Sequence, residues 1–318
     1  MPCPSTIGGL PAMTMAEPRI SVVVLTYNRR AELLATLGRL AQAAPGVPVV
    51  VVDNASGDDS AGAVRRGFPG VQVVQAPANL GAAGRNLGVA AAGTDYVAFC
   101  DDDVCWLPGS LERACEMLDR HPDVAVLSAL VLVGLSAVPD PACAPMAASP
   151  LPGEAAIGPA LVGFMAGACV MRAAAFRRVG GYWPPLFIGG EEALLALDLL
   201  QDGWRILYAP ALAVQHRPSV HRDAPARRRL LARNALLVAW MRLPWRQALA
   251  EGWHVLGGLP DWPARWQALR EAAGHAARAG ARRRPVDARV CGLLAQVRRS
   301  RGRPSQGDVH VTDHRRPF

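Results

Sequence analysis

Lysine is missing from this chain of 318 residues, and all 34 of its basic side chains are arginine. Beside so much Ala, Gly and Pro, that absence reads as coding bias rather than chemistry. Paired cysteine spacing is missing too. Cys3, Cys100, Cys105, Cys115, Cys143, Cys169 and Cys291 make an odd number and contain no CxxC, which argues against both a zinc site and a disulfide framework. Cys100 and Cys169 lie in apolar runs, where cysteine acts as a small hydrophobe. The first residues have no basic start leading into an apolar core, so a secretory signal is not expected. The longest apolar run, Val124 to Val138, is 15 residues and contains Ser and Gly. A membrane span needs about 20. These absences together describe a cytoplasmic protein of a reducing compartment.

Positive charge is present but unevenly placed. The net charge is +8, while the stretch from His275 to Phe318 alone holds 11 Arg and 3 Asp. The basic balance therefore belongs to the end of the chain, and its Pro- and Gly-containing composition reads as solvated disorder. A nucleic-acid partner is not implied.

From Arg19 onward, apolar runs alternate with helical spacings. ISVVVLTY, VPVVVVDN, VQVVQ and YVAFC are compact and rich in β-branched residues, as in strands buried on both faces. Between them, RAELLATLGRLAQAA places Leu33, Leu34, Leu37 and Leu40 at helical spacing, and AAGRNLGVAAAG reads as a helix entered through Gly81. Strand, helix, strand, helix predicts an α/β protein with a mostly parallel, doubly wound sheet flanked by helices. The chain divides into a lead-in (1–18), an α/β domain (19–226), a Trp-rich helical extension (227–274) and the basic tail (275–318). Val138 to Pro159, rich in Pro and Ala, reads as a loop.

Such sheets bind ligands beyond the carboxyl ends of their strands. Those ends carry Thr26, Tyr27 and Asn28; Asp53 and Asn54; Asn79, Gly81, Gly84 and Arg85; and the triplet Asp101, Asp102 and Asp103. Three adjacent carboxylates repel one another unless a cation or strong donors sit among them. A divalent cation, Mg²⁺ or Mn²⁺, suits that donor set together with diphosphate oxygens. On an extended segment Asp101 and Asp103 would share a side and act on it together, with Asp102 turned towards a ribose hydroxyl. Asp53 could accept from a base N–H, and the helix start at Gly81, Gly84 and Arg85 suits an anion. Against these stand a solvated turn for the triplet and mere helix entry for the glycines. Glu191 and Glu192 follow Gly189-Gly190 at a helix start, where acids also complement the helix dipole. His216 is a metal ligand, a surface group or a core residue.

ISVVVLTYNR, VVVVDNASGD, NLGAAGRNLG, FCDDDV and FIGGEE, followed by DLLQDGWRILYAPALAVQH, are together similar to family 2 glycosyltransferases with the GT-A fold, over roughly Arg19 to His221. The resemblance is to the non-processive, rhamnosyltransferase-like members, since QDGWR does not match the Gln-x-x-Arg-Trp motif of processive ones. It implies an inverting transfer of one sugar from a UDP- or dTDP-linked donor to an acceptor hydroxyl. Thr26 to Asn28 and Asp53 would contact the nucleotide, Asp101 and Asp103 the ribose and the metal, and His216 the metal. Glu192, with Glu191 beside it, would be the base. A nucleotidyltransferase is disfavoured because TYNRRAEL lacks the glycines expected after the first strand. A dehydrogenase is disfavoured because no GxGxxG stands there. A degenerate fold kept as a nucleotide-binding scaffold has no reason to retain clustered carboxylates. The Arg-, Leu- and Trp-rich helix after Arg227 fits either packing on the domain or peripheral contact with the inner face of a membrane. Oligomeric state stays open.

Overall fold

The computed structural model describes residues 17–218 and 224–301; the expected lead-in therefore lies almost wholly outside the described residues. The elements in chain order are β1 (Ile20–Thr26), α1 (Arg30–Ala43), β2 (Val49–Asp53), α2 (Ser60–Gly67), β3 (Gln72–Gln75), α3 (Gly84–Ala91), β4 (Tyr96–Asp101) and β5 (Val104–Trp106). Next come α4 (Ser110–Arg120), β6 (Val124–Val133), β7 (Val138–Pro139), α5 (Cys143–Ala147), β8 (Leu151–Glu154), β9 (Gly158–Ala160) and β10 (Ala168–Arg172). The rest are α6 (Ala173–Arg178), α7 (Glu191–Gln201), β11 (Arg205–His216), α8 (Ala224–Arg242), α9 (Trp245–Gly257), α10 (Trp262–Ala273), α11 (Ala276–Ala281) and α12 (Ala288–Arg301).

One sheet runs through the molecule in the order β3-β2-β1-β4-β10-β6-β11-β9-β8. Its β3-β2-β1-β4 half is parallel, because each crossover is a helix. β10 then enters antiparallel to both β4 and β6, so the sheet is mixed beyond the fourth strand. Val22, Val23, Val24, Val51, Val52, Val97 and Phe99 are fully buried, as expected of strands covered on both faces. On α1 the spaced leucines Leu33, Leu37 and Leu40 close that core from one side.

β11 changes partners along its length. Its pairing with β6 slips between Ala209 and Ala213, so that Pro210, Ala211 and Leu212 bulge out of the ladder. Pro210 has no N–H to give, which makes this the natural place for the slip. Beyond the bulge β11 pairs with β5, and its last residue, His216, stands opposite Val104.

Three expectations need correcting. The stretch 138–159 is not bare loop: it carries β7, α5, β8 and the start of β9, which widen the sheet edge. Nor is the basic segment after His275 disordered throughout: it carries the helices Ala276–Ala281 and Ala288–Arg301, and residues 302–318 lie outside the described residues. Val286, Val290 and Leu294 supply an apolar face that buries against the domain, and Arg298 pairs with Glu251 at 2.7 Å. Composition hid this face because arginine dominated the count. The expected boundary between 226 and 227 also falls inside α8.

Gly88 marks the closest approach of α3 to the sheet. A Cβ there would lie 2.3 Å from Val23 Cγ1 and 3.0 Å from Val52 Cγ2. Valine is stiff about χ1 and cannot swing aside. Gly88→Ala is therefore expected to destabilise the fold by about 1–3 kcal/mol through overpacking, read as a lower denaturant midpoint at unchanged slope. A midpoint equal to the parent's would contradict the close packing.

Candidate active site

The aspartate triplet does not lie on an extended segment. β4 ends at Asp101, the chain turns through Asp102 and Asp103, and β5 begins at Val104. The expected partnership of Asp101 with Asp103 on one side is thereby overturned, because the turn sends the carboxylates to different arginines. Asp101 pairs with Arg85. Asp102 and Asp103 share Arg29, whose Nη1 is 2.6 Å from Asp102 Oδ1 and whose Nη2 is 3.0 Å from Asp103 Oδ2. Arg29 was not among the expected site residues, although it directly follows the polar end of β1.

The turn is bolted down from three sides. Thr26 at the end of β1 donates its hydroxyl to Asp102 Oδ2 at 2.9 Å, and Thr36 on α1 donates to the Asp102 carbonyl at 2.7 Å. The Arg217 N–H, just past β11, donates to the Asp103 carbonyl at 2.9 Å. His216 arrives with that strand, its Nε2 3.5 Å from Asp103 Oδ1. Burial opposes ionisation of Asp103, but the hydrogen bonds from His216 and Arg29 outweigh it and hold its pKa below the usual value. Asp102 is pushed up to about 7, mainly by burial, with Arg29 and Thr26 opposing. The triplet therefore combines a firmly ionised carboxylate with a hindered one.

The other strand-end residues serve one another as much as a ligand. Asn28 Oδ1 accepts from Gly57 N at 2.7 Å, and Ser56 Oγ accepts from Asn28 N at 2.9 Å, so the loops after β1 and β2 are stitched together. Tyr27 beside them is exposed. Asp53 is only 1% exposed, and its Oδ1 accepts from the Ser56 N–H. Asn54 donates to the Gly81 carbonyl at 2.9 Å. The helix start around Gly81 is not an open anion site. Gly81 N donates to Asn79 Oδ1 and Ala82 N donates to the Phe187 carbonyl, so these two N–H groups are already occupied. Gly81 has φ +59°, and a Cβ on it would strike that same Phe187 carbonyl. Gly84 is held close to the side chain of Asn54.

Arg85 joins the triplet to the second acidic group. Its guanidinium is buried, lies 5.9 Å from the Phe99 ring centroid and 6.0 Å from that of Tyr182, pairs with Asp101 and feels the charge of Glu191 and Glu192. Burial disfavours the charge on Arg85, yet the surrounding anions more than restore it, so it remains a cation. Glu191 and Glu192 form the first turn of α7. Burial raises both carboxyls above the ordinary range; for Glu191 the charge of Glu192 adds to it, while backbone donors and Arg85 oppose. Glu191 is buried and its Oε2 has no hydrogen-bond partner, whereas Glu192 keeps partial access to solvent.

The loop into α7 is held by a helix that no motif pointed to. Phe187, Gly189 and Gly190 all have positive φ, a strained conformation for Phe187 in particular. Asn234 on α8 is fully buried and donates to the carbonyls of Leu186, Ile188 and Gly189; Arg233 donates to those of Pro185 and Leu186. The only hint in the sequence was an Asn inside the apolar run LLARNALLVAW.

Beyond the ends of β4 and β11, Asp103 offers a hard carboxylate oxygen of the kind Mg²⁺ or Mn²⁺ takes, with the His216 imidazole nitrogen beside it. Among the described residues no group of three His, Cys, Asp or Glu side chains converges as a cage.

The raised Glu191 has a consequence for stability. Its folded pKa exceeds its unfolded one, so folding takes up a proton in the interval between them, and stability falls as pH rises through that interval. Glu191→Gln removes the titration. The variant's melting temperature relative to the parent is expected to be higher at pH 8 than at pH 5. A difference independent of pH would contradict the buried, raised carboxyl.

Comparison with known proteins gives these features a family. The model of glycosyl transferase family 2 matches residues 21–179, half of the chain. An uncharacterized glycosyltransferase of Haemophilus influenzae is 33% identical over 107 residues, covering 33% of this chain and 36% of its own length. An N-acetylglucosaminyl-diphospho-decaprenol L-rhamnosyltransferase of Mycobacterium tuberculosis is 27% identical over 237 residues, covering 62% of this chain and 75% of that protein. Among solved structures, a mannosyltransferase of Pyrobaculum calidifontis in complex with GDP-Man and Mn²⁺ is similar with a TM-score of 0.57 and 22% identity. The likeness covers 89% of this chain and 80% of that one. The chain belongs to glycosyl transferase family 2 and is built on the GT-A fold.

Proposed function

We propose that this protein transfers a single sugar, with inversion, from a nucleoside-diphosphate sugar to an acceptor hydroxyl, assisted by Mg²⁺ or Mn²⁺. The observation that carries the reading is the Arg85 guanidinium, paired with Asp101 of the aspartate triplet and within electrostatic reach of Glu191 and Glu192. A structural acidic cluster needs no second buried carboxylate pair across one cation.

Glu192 is the general base in this reading. It retains solvent access, and its raised pKa suits a group that must take a proton from a hydroxyl near neutral pH. As Glu192 takes that proton, the acceptor oxygen bonds to the anomeric carbon and the bond from that carbon to the diphosphate oxygen breaks. Burial and the nearby charge of Asp101 keep the Glu192 carboxyl basic, while its own backbone N–H, Arg85 and a hydrogen bond with Glu191 oppose them. Asp103 and His216 would hold the cation, and Asp101 and Asp102 would read the ribose. When bound, the cation supplies Lewis-acid stabilisation to the departing diphosphate.

Support for the chemistry comes from relatives by name only. The mycobacterial relative is named for L-rhamnose transfer to a decaprenol-linked acceptor, and the archaeal structure holds GDP-Man and Mn²⁺. UDP- and dTDP-linked sugars with lipid-diphosphate acceptors are therefore the first pairs to try.

Glu192→Gln is expected to lower turnover by about 10²–10⁴-fold while leaving donor-nucleotide affinity near that of the parent. The matching loss from Glu191→Gln should be smaller. Equal turnover in Glu192→Gln and the parent, measured with the same donor and acceptor, would refute the assignment.

A further inference from the structure

Five of the eight tryptophans stand exposed, and all five (Trp240, Trp245, Trp253, Trp262 and Trp266) belong to the C-terminal helices. Their spacing is regular. On α9, Trp245, Leu249 and Trp253 recur every fourth residue; on α10, Trp262, Trp266 and Leu269 recur at intervals of four and three. Each set therefore forms one helical face. Trp253 is 84% exposed, Leu249 66% and Trp262 65%, so these rings are not half-covered core.

Both helices already have an inward apolar face. Val255 and Leu256 of α9, Leu259 after it, and Ala264 and Ala268 of α10 pack with Ala232 and Leu236 of α8. A helix needs one apolar stripe to sit on its domain. Here α9 and α10 carry a second, and among the described residues nothing covers it. Contiguous exposed apolar surface of this kind marks an interaction face.

Charge decides what the face meets. From Ala224 to Arg301 the chain has sixteen Arg and only four Asp or Glu. One of those acids, Glu251, is taken by Arg298. Exposed Arg246 and Arg270 flank the stripes, and Arg246 lies over the Trp245 ring at 5.1 Å. Tryptophan beside arginine suits the headgroup region of a bilayer, where the ring sits at the boundary and the guanidinium meets lipid phosphate. No helix among the described residues is long and apolar enough to cross a membrane.

We propose that the outward faces of α9 and α10 form an interfacial docking surface for an anionic phospholipid bilayer, held by the tryptophans and leucines at headgroup depth and by arginine on the lipid phosphates. The same helical layer grips the loop before Glu191 through Arg233 and Asn234, and that loop exposes Phe187 and Ile188. Docking would thus seat the bilayer on the helical layer that also positions the loop before the glutamate pair. The proposal does not depend on the transferase reading, since lipid binding is measured without donor or acceptor.

The test is co-sedimentation of the full chain with phosphatidylcholine vesicles, with and without phosphatidylglycerol. Pelleting is expected with the mixed vesicles and is expected to weaken as salt rises. The exposed-face variant W245A/L249A/W253A should lose affinity by about tenfold or more, and R246E/R270E should lose it with the mixed vesicles. Circular dichroism checks that each variant stays folded. Retention of the parent in the supernatant with anionic vesicles would overturn the proposal, as would undiminished pelleting of W245A/L249A/W253A. A dimer in sedimentation velocity that this variant disperses, without vesicle binding by the parent, would assign the face to a second copy and equally overturn it.

Discussion

Three like charges in consecutive positions are held together here by two arginines that keep them apart. Arg29 draws Asp102 and Asp103 to one side of the β4–β5 turn, and Arg85 draws Asp101 to the other. Without those cations the turn would bury mutually repelling carboxylates, which costs far more than an exposed acidic turn. Much of the surrounding architecture serves that division. The polar end of β1 supplies Arg29 and Thr26, α1 fixes the turn through Thr36, and the last residues of β11 close it with His216 and Arg217.

The same two arginines give the site its electrical asymmetry. On the Arg29 side Asp103 is kept ionised beside His216, a donor pair ready for a hard cation. On the Arg85 side the charge is shared among Asp101 and two glutamates whose burial favours their protonated forms. A group that keeps its charge and a group poised to accept a proton are what a displacement with a charged leaving group and a hydroxyl nucleophile requires. The spacing between them is set by α8, because Arg233 and Asn234 hold the strained loop that delivers α7. The C-terminal helices are therefore part of the site's scaffold as well as a candidate surface.

Much of this was legible in the sequence. Compact β-branched runs and leucines at helical spacing gave the parallel half of the sheet nearly residue by residue, because burial on both faces leaves an unmistakable pattern. The acidic strand ends were legible because buried carboxylates demand partners. Other features were not. Period-two reasoning treated Asp101–Asp103 as extended, and nothing local announced the turn at Asp102. The role of Arg29 depended on a carboxylate 74 positions away. Asn234 and the fold of α12 were masked by composition, since a single buried amide or a thin stripe of Val and Leu contributes little to a window crowded with arginine.

The central claim is that the triplet is a metal-assisted nucleotide site. Calorimetric titration of UDP and dTDP, each with and without Mn²⁺, tests it most directly in the parent and in Asp103→Ala. Binding of at least one nucleotide that requires Mn²⁺ in the parent, and is lost in Asp103→Ala, is the expected result. Unchanged Mn²⁺–nucleotide affinity in the variant, or no binding of either nucleotide to the parent, would contradict the account.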